Sequence, residues 1–241
     1  MDVIPAVDIR GGRCVRLYQG DYDRETVFSE DPVAMARQWE QRGAARLHVV
    51  DLDGARAGQP VNNHVIEELI SAVDVPVQVA GGVRQIDVVE RYLEMGADRV
   101  VLGTAAVRDQ PLVSKACAMF PEAVVVAVDA RRGRVETAGW REASDETPER
   151  LIRGLTELGV GRFIFTDIAR DGTLRGPNFS AVGRLVRTCR TPVIAAGGVS
   201  TVEHLRRLAK LGVEGTIVGR ALYDGGLELE EALRAVREAE G

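Results

Sequence analysis

Residues Pro76-Val-Gln-Val-Ala-Gly-Gly-Val-Arg84 return, with small changes, as Pro192-Val-Ile-Ala-Ala-Gly-Gly-Val-Ser200. The two stretches lie 116 positions apart, and the same spacing relates Val101-Leu-Gly-Thr-Ala105 to Ile217-Val-Gly-Arg-Ala221. The chain therefore consists of two similar halves. Each half has one apolar run that ends in Gly-Gly and a second that ends in Gly-Thr or Gly-Arg.

The bulk composition is that of a globular protein with a large core. The chain has 241 residues, of which 45% are hydrophobic, and its net charge is −5. The absence of a basic excess argues against nucleic-acid binding, and no stretch is long and apolar enough to predict a membrane span. The three cysteines and three histidines are widely scattered and match no zinc or CxxC spacing, so we expect no metal site. These features predict a cytoplasmic protein.

Short apolar runs alternate with longer amphipathic segments along the whole chain. Continuous runs of this kind are typical of parallel strands that are covered on both faces. The eight predicted strands are Val3–Val7, Arg46–Val50, Val77–Ala80, Arg99–Leu102, Val124–Val128, Arg162–Phe165, Val193–Ala196 and Gly215–Val218. The segments between them have helix start and stop signals, such as Asp31 before Pro32 and the glycines Gly43, Gly96, Gly159 and Gly212.

Eight strand-then-helix units predict an α/β fold, a single (β/α)₈ TIM barrel with a twofold half-barrel repeat, over residues 1–241. The competing architecture is a doubly wound open sheet. The repeat favours the barrel, because four units and four equivalent units close symmetrically, whereas open sheets rarely carry such a repeat.

Two aspartates follow equivalent strands of the two halves. Asp8 comes after the first apolar run and Asp129 after the fifth. Active sites of such barrels lie at the carboxyl ends of the strands, and the first and fifth strands face each other across the mouth. A lone aspartate there is usually a loop cap, but an opposed pair predicts general acid–base catalysis.

The sixth run continues into Thr166-Asp-Ile-Ala-Arg-Asp171-Gly172-Thr173. The Thr166 hydroxyl is placed to orient a carboxylate or a ligand hydroxyl. The segment Asp171-Gly172-Thr173 predicts either a tight loop with polar atoms toward a ligand or an ordinary Asp-Gly turn. Asp51 and Asp167, which are related by the repeat, are equally well explained as structural residues that hold the loops above them.

Glycines just past strands let backbone N–H groups approach a phosphate closely. Each half carries one such cluster, so the sequence predicts a ligand with two phosphates. Neither cluster matches the GxGxxG or P-loop pattern. The predicted phosphate-binding residues are Gly81, Gly82, Gly103, Thr104, Gly197, Gly198, Gly219 and Arg220.

Long polar loops are predicted after the first and fifth strands, over residues 9–30 and 131–146. Such loops close over a barrel mouth and act as lids. Trp140 lies in the second loop, where it either stacks on a flat heteroaromatic ring of a ligand or packs the closed loop against the barrel rim.

Taken together, these motifs resemble the phosphoribosylformimino-5-aminoimidazole carboxamide ribotide isomerases of histidine biosynthesis. The resemblance extends over essentially the whole chain. It is carried by Val3-Ile-Pro-Ala-Val-Asp8-Ile-Arg-Gly-Gly-Arg-Cys-Val-Arg16-Leu-Tyr-Gln-Gly20, Val50-Asp-Leu-Asp-Gly54, Ala80-Gly-Gly-Val-Arg84, Thr166-Asp-Ile-Ala-Arg-Asp-Gly-Thr173 and Ala196-Gly-Gly-Val199.

The resemblance implies an Amadori rearrangement, which converts an aminoaldose with a phosphate at each end into the aminoketose. It implies that Asp8 is the general base, that Asp129 is the general acid, and that Thr166 assists near Asp129. It also places Arg16 and Arg84 at the ligand. No metal or organic cofactor is expected, and we expect a monomer whose partner is the small bisphosphorylated ribotide.

Three alternatives remain open from the sequence. The cyclase subunit of imidazole glycerol phosphate synthase shares the fold and both aspartates, but Arg16 stands where that group is expected to have lysine. A bifunctional isomerase that also acts in tryptophan biosynthesis shares Arg16, Arg84 and Trp140, but carries arginine where this chain has Ala138. A barrel that only binds phosphorylated ligands is the non-enzymatic alternative.

Overall fold

A computed structural model describes residues 1–140 and 142–240. Residue 141, in the second predicted loop, and residue 241 lie outside the described part. The strands there are β1 (Asp2–Arg10), β2 (Arg13–Tyr18), β3 (Asp21–Ser29), β4 (Leu47–Asp51), β5 (Val77–Ala80), β6 (Arg99–Leu102), β7 (Val124–Arg131), β8 (Arg134–Thr137), β9 (Glu142–Ala143), β10 (Phe163–Asp167), β11 (Val193–Ala196) and β12 (Gly215–Val218).

Helices alternate with these strands. They are α1 (Pro32–Gln41), α2 (Leu52–Ala57), α3 (Asn63–Ser71), α4 (Ile86–Glu94), α5 (Thr104–Arg108), α6 (Gln110–Met119), α7 (Pro148–Glu157), α8 (Phe179–Thr188), α9 (Val202–Leu211), α10 (Arg220–Tyr223) and α11 (Leu229–Glu240). None of the helices within the described ranges is long and apolar enough to cross a membrane.

Eight of the strands form a closed parallel barrel. Their order is β1-β4-β5-β6-β7-β10-β11-β12, and β12 pairs with β1 to close the ring. The predicted (β/α)₈ barrel is thereby confirmed. The half-barrel repeat is visible in the backbone, since Gly103 (φ −106°, ψ −98°) and Gly219 (φ −108°, ψ −104°) adopt the same conformation at equivalent positions.

Local signals set several element boundaries correctly. Strands β5, β6, β11 and β12 match the predicted ranges residue for residue. Helix α1 begins as expected, with the Asp31 carboxylate accepting a hydrogen bond from the Ala34 N–H and Pro32 in the first turn. The four glycines predicted to end helices all have positive φ, between +81° and +98°.

The two long loops predicted after the first and fifth barrel strands are instead β-hairpin extensions. Strand β1 continues to Arg10 and pairs antiparallel with β2, which pairs with β3; strand β7 likewise continues into β8, which pairs with β9. The sequence did not reveal the hairpin after β1, because β3 is largely exposed and charged and its apolar strand pattern is therefore weak. The residues of β3 are extended because they pair with β2, and not because they bury an apolar face.

The barrel interior is filled by branched apolar side chains. Ile4, Val101, Val125, Ile164, Ile194 and Ile217 form this inner layer. A larger apolar layer lies between the strands and the surrounding helices and includes Trp39, Leu47 and Phe163. The filled interior closes the lower part of the barrel, so the space for a ligand lies above it, at the carboxyl ends of the strands.

Candidate active site

A cavity of about 220 Å³ opens at the carboxyl ends of the barrel strands. A smaller cavity of about 30 Å³ shares Ala196, Ile217 and one pair of predicted site residues, Arg16 and Asp171, with it. Of the predicted site residues, the larger cavity is lined by Asp8, Arg16, Gly81, Gly82, Arg84, Gly103, Thr104, Asp129, Trp140, Thr166 and Asp171. The smaller one is lined by Gly172, Gly197, Gly198, Gly219 and Arg220 in addition to the shared pair.

Thr173 is the predicted site residue that lines neither cavity. Its hydroxyl donates a hydrogen bond to the Arg170 carbonyl and accepts one from the Arg175 N–H. Thr173 therefore builds the turn after β10, while its neighbours Asp171 and Gly172 reach the cavities. Thr173 thus fits the interpretation as a turn, whereas Asp171 and Gly172 are placed where the interpretation as a ligand loop requires them.

The carboxyl group of Asp8 lies on β1 beside an arginine from the neighbouring hairpin. Arg16 Nη1 on β2 is 2.8 Å from Asp8 Oδ2, and both residues are buried. Burial raises the pKa of Asp8 to about 6, against the lowering effect of Arg16 and with a further raising effect from Asp171. A carboxyl group with this pKa exchanges protons readily near neutral pH.

Asp129 lies on β7, the fifth barrel strand, and so faces Asp8 across the mouth. Burial raises its pKa, and side-chain hydrogen bonds from Trp140 and Thr166 oppose that shift. Thr166 is its register neighbour on β10. The carboxyl group is thus held in place from two directions while its protonated form is favoured by burial.

Asp171 links the two carboxyl groups electrostatically. Burial raises its pKa, whereas Arg16 and a backbone hydrogen bond from Gly172 lower it. Its charge in turn raises the pKa of Asp8 and of Asp129. Three buried carboxyl groups, of which Asp8 and Asp171 interact with Arg16, disfavour full ionisation, so the site retains protons that free aspartates would lose.

Close packing by itself requires glycine in the Gly-Gly motifs, in addition to any requirement from a ligand. A Cβ at Gly81 would overlap the backbone carbonyl of Asp51, and one at Gly197 would lie 2.9 Å from the carbonyl of Asp167. Both glycines also have positive φ, +105° and +91°. The backbone after β5 and β11 can therefore pass close to the preceding strand and still line a cavity.

The two Gly-Thr and Gly-Arg turns differ in what occupies the space beside them. A Cβ at Gly103 would meet no atom within 4 Å, whereas one at Gly219 would overlap the guanidinium of Arg16. Arg220 Nη1 also donates to the Gly172 carbonyl at 3.0 Å. The half that contains Gly219 thus has two arginines at its cavity, while the other half has the Thr104 hydroxyl and the exposed Arg84.

Asp51 and Asp167 are structural residues, as one of the two interpretations held. The Asp51 carboxylate accepts hydrogen bonds from the N–H groups of Gly54, Val61 and Asn62 and from the Asn62 side chain. Asp167 accepts from the Ala169 N–H and from the side chain of Asn178, which stands 116 positions after Asn62. The repeated Asp-to-Asn spacing was a readable signal for this role.

The two hairpin extensions meet over the cavity. The Trp140 ring packs directly on Gly20, where a Cβ would overlap ring atom Cε3. Trp140 itself has φ +66°, an uncommon conformation for a bulky residue. Tyr22 on β3 also lines the cavity, and its hydroxyl donates to the Leu52 carbonyl at 2.8 Å. Hairpins from both halves thus cover the cavity that Asp8 and Asp129 line.

His48 is a cavity residue that the sequence did not identify, because its position in a scattered set of histidines suggested a structural or surface role. It lies on β4, two residues before Val50, which also lines the cavity. Burial, with the charge of Arg16, lowers the pKa of His48 to about 3, so the ring is neutral. Alternation along the strand was the signal that could have placed it.

Over the described ranges, no group of three or more His, Cys, Asp or Glu side chains is arranged to hold a metal ion.

A closed (β/α)₈ barrel with buried carboxyl groups on its first and fifth strands defines the class of this protein, a half-barrel-repeat enzyme scaffold. The model of the histidine biosynthesis protein family matches residues 2–228, and the chain belongs to that family.

Curated relatives are similar over nearly their full length. A Roseiflexus protein is 54% identical, covering 98% of this chain and 100% of its own. A Dehalococcoides mccartyi protein is 52% identical, covering 96% and 98%, and one from Synechocystis is 51% identical, covering 98% and 93%. All three are named 1-(5-phosphoribosyl)-5-((5-phosphoribosylamino)methylideneamino) imidazole-4-carboxamide isomerase.

Proposed function

We propose that this protein is the isomerase that performs the Amadori rearrangement of the phosphoribosylformimino aminoaldose to the phosphoribulosyl aminoketose in histidine biosynthesis. The observation that carries this proposal is the pair of buried carboxyl groups, Asp8 and Asp129, on opposed strands of one cavity with raised pKa values. The names of the curated relatives support the same reaction.

In the first step, Asp129 acts as the general acid. It protonates the ring oxygen of the aminosugar, and the ring opens to an iminium. Burial favours the protonated form of Asp129, which a proton donor requires. The hydrogen bonds from Thr166 and Trp140 hold the carboxyl group toward the sugar and stabilise the carboxylate once the proton has left.

In the second step, Asp8 acts as the general base. It removes the C2 proton, the electron pair moves into the iminium, and the resulting enolamine rearranges to the ketone. With a pKa of about 6, Asp8 is ionised at neutral pH yet remains more basic than an ordinary aspartate. The adjacent Arg16 guanidinium keeps the carboxylate charged before the reaction. The iminium itself is the electron sink, so the reaction as proposed requires no cofactor.

The two cavity walls outside the acid–base pair fit the two ends of the substrate. We assign one phosphate to the wall with Gly81, Gly82, Gly103 and Thr104, and the other to the wall with Gly197, Gly198, Gly219 and Arg220. The walls differ in their arginines, because Arg16 lines both cavities, whereas Arg84 lines only the first and Arg220 only the second. This difference gives the nearly symmetric barrel a means to orient a substrate with two unlike ends.

The test is an assay of the purified protein with the aminoaldose ribotide, followed by absorbance and coupled to the cyclase. Turnover is expected, and unchanged aminoaldose would overturn the proposal.

Phosphoribosylanthranilate in a parallel assay tests the bifunctional activity, and ammonia without the cyclase tests whether the protein itself forms imidazole glycerol phosphate. A barrel that only binds phosphorylated ligands would bind the aminoaldose without converting it.

Replacing either carboxyl group separates catalysis from binding. We expect Asp8→Asn and Asp129→Asn each to lower kcat by about 10²–10⁴-fold, because each variant loses one proton-transfer group. Substrate affinity, measured by calorimetry, should change little, since the phosphate-binding walls are intact. Retention of full kcat by either variant would contradict the assigned role of that residue.

The setting proposed for this activity is the cytoplasm. All three cysteines are free, two of them buried, as is usual for proteins of a reducing compartment. Cell fractionation with an antibody to the chain would test the location.

A further inference from the structure

Gln78 is a fully buried polar residue inside the barrel. It lies on β5 in register with His48 on β4, and it shares its strand face with Ala80 of the apolar inner layer. Burying an amide among apolar side chains costs free energy unless the amide is hydrogen-bonded. Its partner is the His48 ring, with Gln78 Nε2 2.9 Å from His48 Nδ1.

The direction of this hydrogen bond follows from the remaining polar atom of the amide. Within the described part of the chain, Gln78 Oε1 is buried with no hydrogen-bond partner. Turning the amide around would satisfy the oxygen but leave the NH₂ group unpaired instead. Among backbone groups of native proteins, buried donors without partners are rarer than carbonyls without partners, and by the same reasoning we assign the amide as the donor and Nδ1 as the acceptor.

A neutral imidazole whose Nδ1 accepts a hydrogen bond carries its proton on Nε2. The His48 ring is neutral because burial, together with the charge of Arg16, lowers its pKa to about 3. The ring forms part of the cavity wall, and Nε2–H is therefore the polar group that it can offer to a ligand.

We propose that Gln78 is a positioning residue that fixes His48 as the Nε2–H tautomer, so that the ring donates a hydrogen bond to an oxygen of the bound aminosugar. The proposal rests on the proposed isomerase function for the identity of the ligand. A neutral donor suits this position. A second cation beside Arg16 would favour the ionised forms of Asp8 and Asp171 and weaken Asp8 as a base.

The tautomer can be observed directly by long-range ¹H–¹⁵N correlation of the histidine-labelled protein. The chain has three histidines, so His48 is assigned from the signals lost in His48→Gln. We expect Nδ1 of His48 to be unprotonated and Nε2 to be protonated at neutral pH in the free protein. Protonation at Nδ1 would overturn the proposal whatever the activity of the protein.

The variant Gln78→Glu reverses the polarity of the pair. Its carboxylate accepts a hydrogen bond, so Nδ1 of His48 should become protonated and kcat/KM should fall by about tenfold, the equivalent of one hydrogen bond. Gln78→Met preserves the length of the side chain and should release both tautomers. Unchanged tautomer and kinetics in Gln78→Glu would overturn the proposal, and the wild-type spectrum decides it if that variant does not fold.

Thr216→Val is the matched control. Thr216 is another fully buried polar residue of the barrel, and its hydroxyl donates to the Ala195 carbonyl. The substitution should lower stability without changing the His48 tautomer or kcat/KM. Absence of turnover in the wild type alongside the Nε2–H tautomer would overturn the isomerase function alone, so the two failures are distinguishable.

Discussion

The carboxyl group of Asp8 is subject to opposing influences. Burial raises its pKa to about 6, the neighbouring Arg16 lowers it, and Asp171 raises it further. The result is a base that is ionised at neutral pH and gains its proton just below. The balance between burial and the 2.8 Å ion pair of Asp8 with Arg16 therefore sets the pH range in which the proposed reaction runs.

The pH profile should report the pKa of Asp8. Since the base must be ionised, kcat/KM is expected to fall as the pH decreases through about 6. Arg16→Met removes the charge that lowers this pKa, so the acid limb should move to higher pH. Arg16→Lys retains the charge and should leave the limb near its original position. An acid limb that does not move in Arg16→Met would contradict the assignment of Asp8.

Among the elements, the two hairpin extensions have the most direct consequence for function. They bring the Trp140 ring onto Gly20, which has φ +75° and no space for a side chain. Neither element belongs to the barrel. They follow equivalent strands of the two halves, β1 and β7, and together they cover a cavity that the barrel strands leave open.

Gly20→Ala should separate the two hairpins. The added Cβ would overlap the Trp140 ring, so the ring must move, and kcat/KM should fall by up to about 10²-fold. Trp140 fluorescence should shift toward that of an exposed indole. Gly12→Ala is the control, because Gly12 also has φ +75° but no atom lies within 4 Å of its would-be Cβ. Equal effects of the two variants would refute the packing explanation.

The loops after β4 and β10 depend on Asp51 and Asp167. Asp51 is fully buried and accepts four hydrogen bonds, whereas Asp167 is partly exposed and accepts two. We expect Asp51→Ala to lower the free energy of unfolding by roughly 3 kcal/mol, and Asp167→Ala by about 1 kcal/mol. Urea denaturation measures both. A larger effect of Asp167→Ala would show that hydrogen-bond number does not decide the ranking.

At the scale of the whole molecule, the repeat explains how one substrate meets two cavity walls. Each half supplies one carboxyl group and one glycine-rich wall, and closing the barrel brings them around the same space. The halves differ at two points: Arg220 stands where the other half has Thr104, and the guanidinium of Arg16 lies beside Gly219 but not beside Gly103. In the proposed function, these differences distinguish the two ends of the substrate. A duplicated scaffold with unequal arginines can bind an asymmetric molecule in one orientation.

The protein is expected to be a monomer of 26.1 kDa. In the described ranges, the exposed large apolar side chains are Val27, Val61 and Met119, which lie on separate parts of the chain. Scattered apolar residues do not form the contiguous patch of an interface. Light scattering after size-exclusion chromatography measures the mass, and a dimer would contradict this expectation.

Much of the site could be predicted from the sequence, because the barrel rule places functional residues directly after strands. Asp8, Asp129 and the glycine clusters were found in this way. His48 and Gln78 escape this rule because they lie inside strands; alternation along β4 places His48 at the cavity, but the proposed role of Gln78 depends on which side chain faces it across the sheet. Thr173 was predicted to bind the ligand together with Asp171, and its hydroxyl is bonded within the turn instead of lining a cavity, which sequence proximity to Asp171 does not reveal.

The sequence by itself determined the barrel, its half-barrel repeat and the place of its eight parallel strands, because these follow from local apolar patterns, caps and glycines that each segment carries. Only the tertiary structure decided that the predicted lids are hairpins, that Arg16 lies against both Asp8 and Gly219, and that burial gives Asp8 a pKa of about 6. Electrostatics and close packing depend on groups far apart in the chain, and these meet only when the barrel closes.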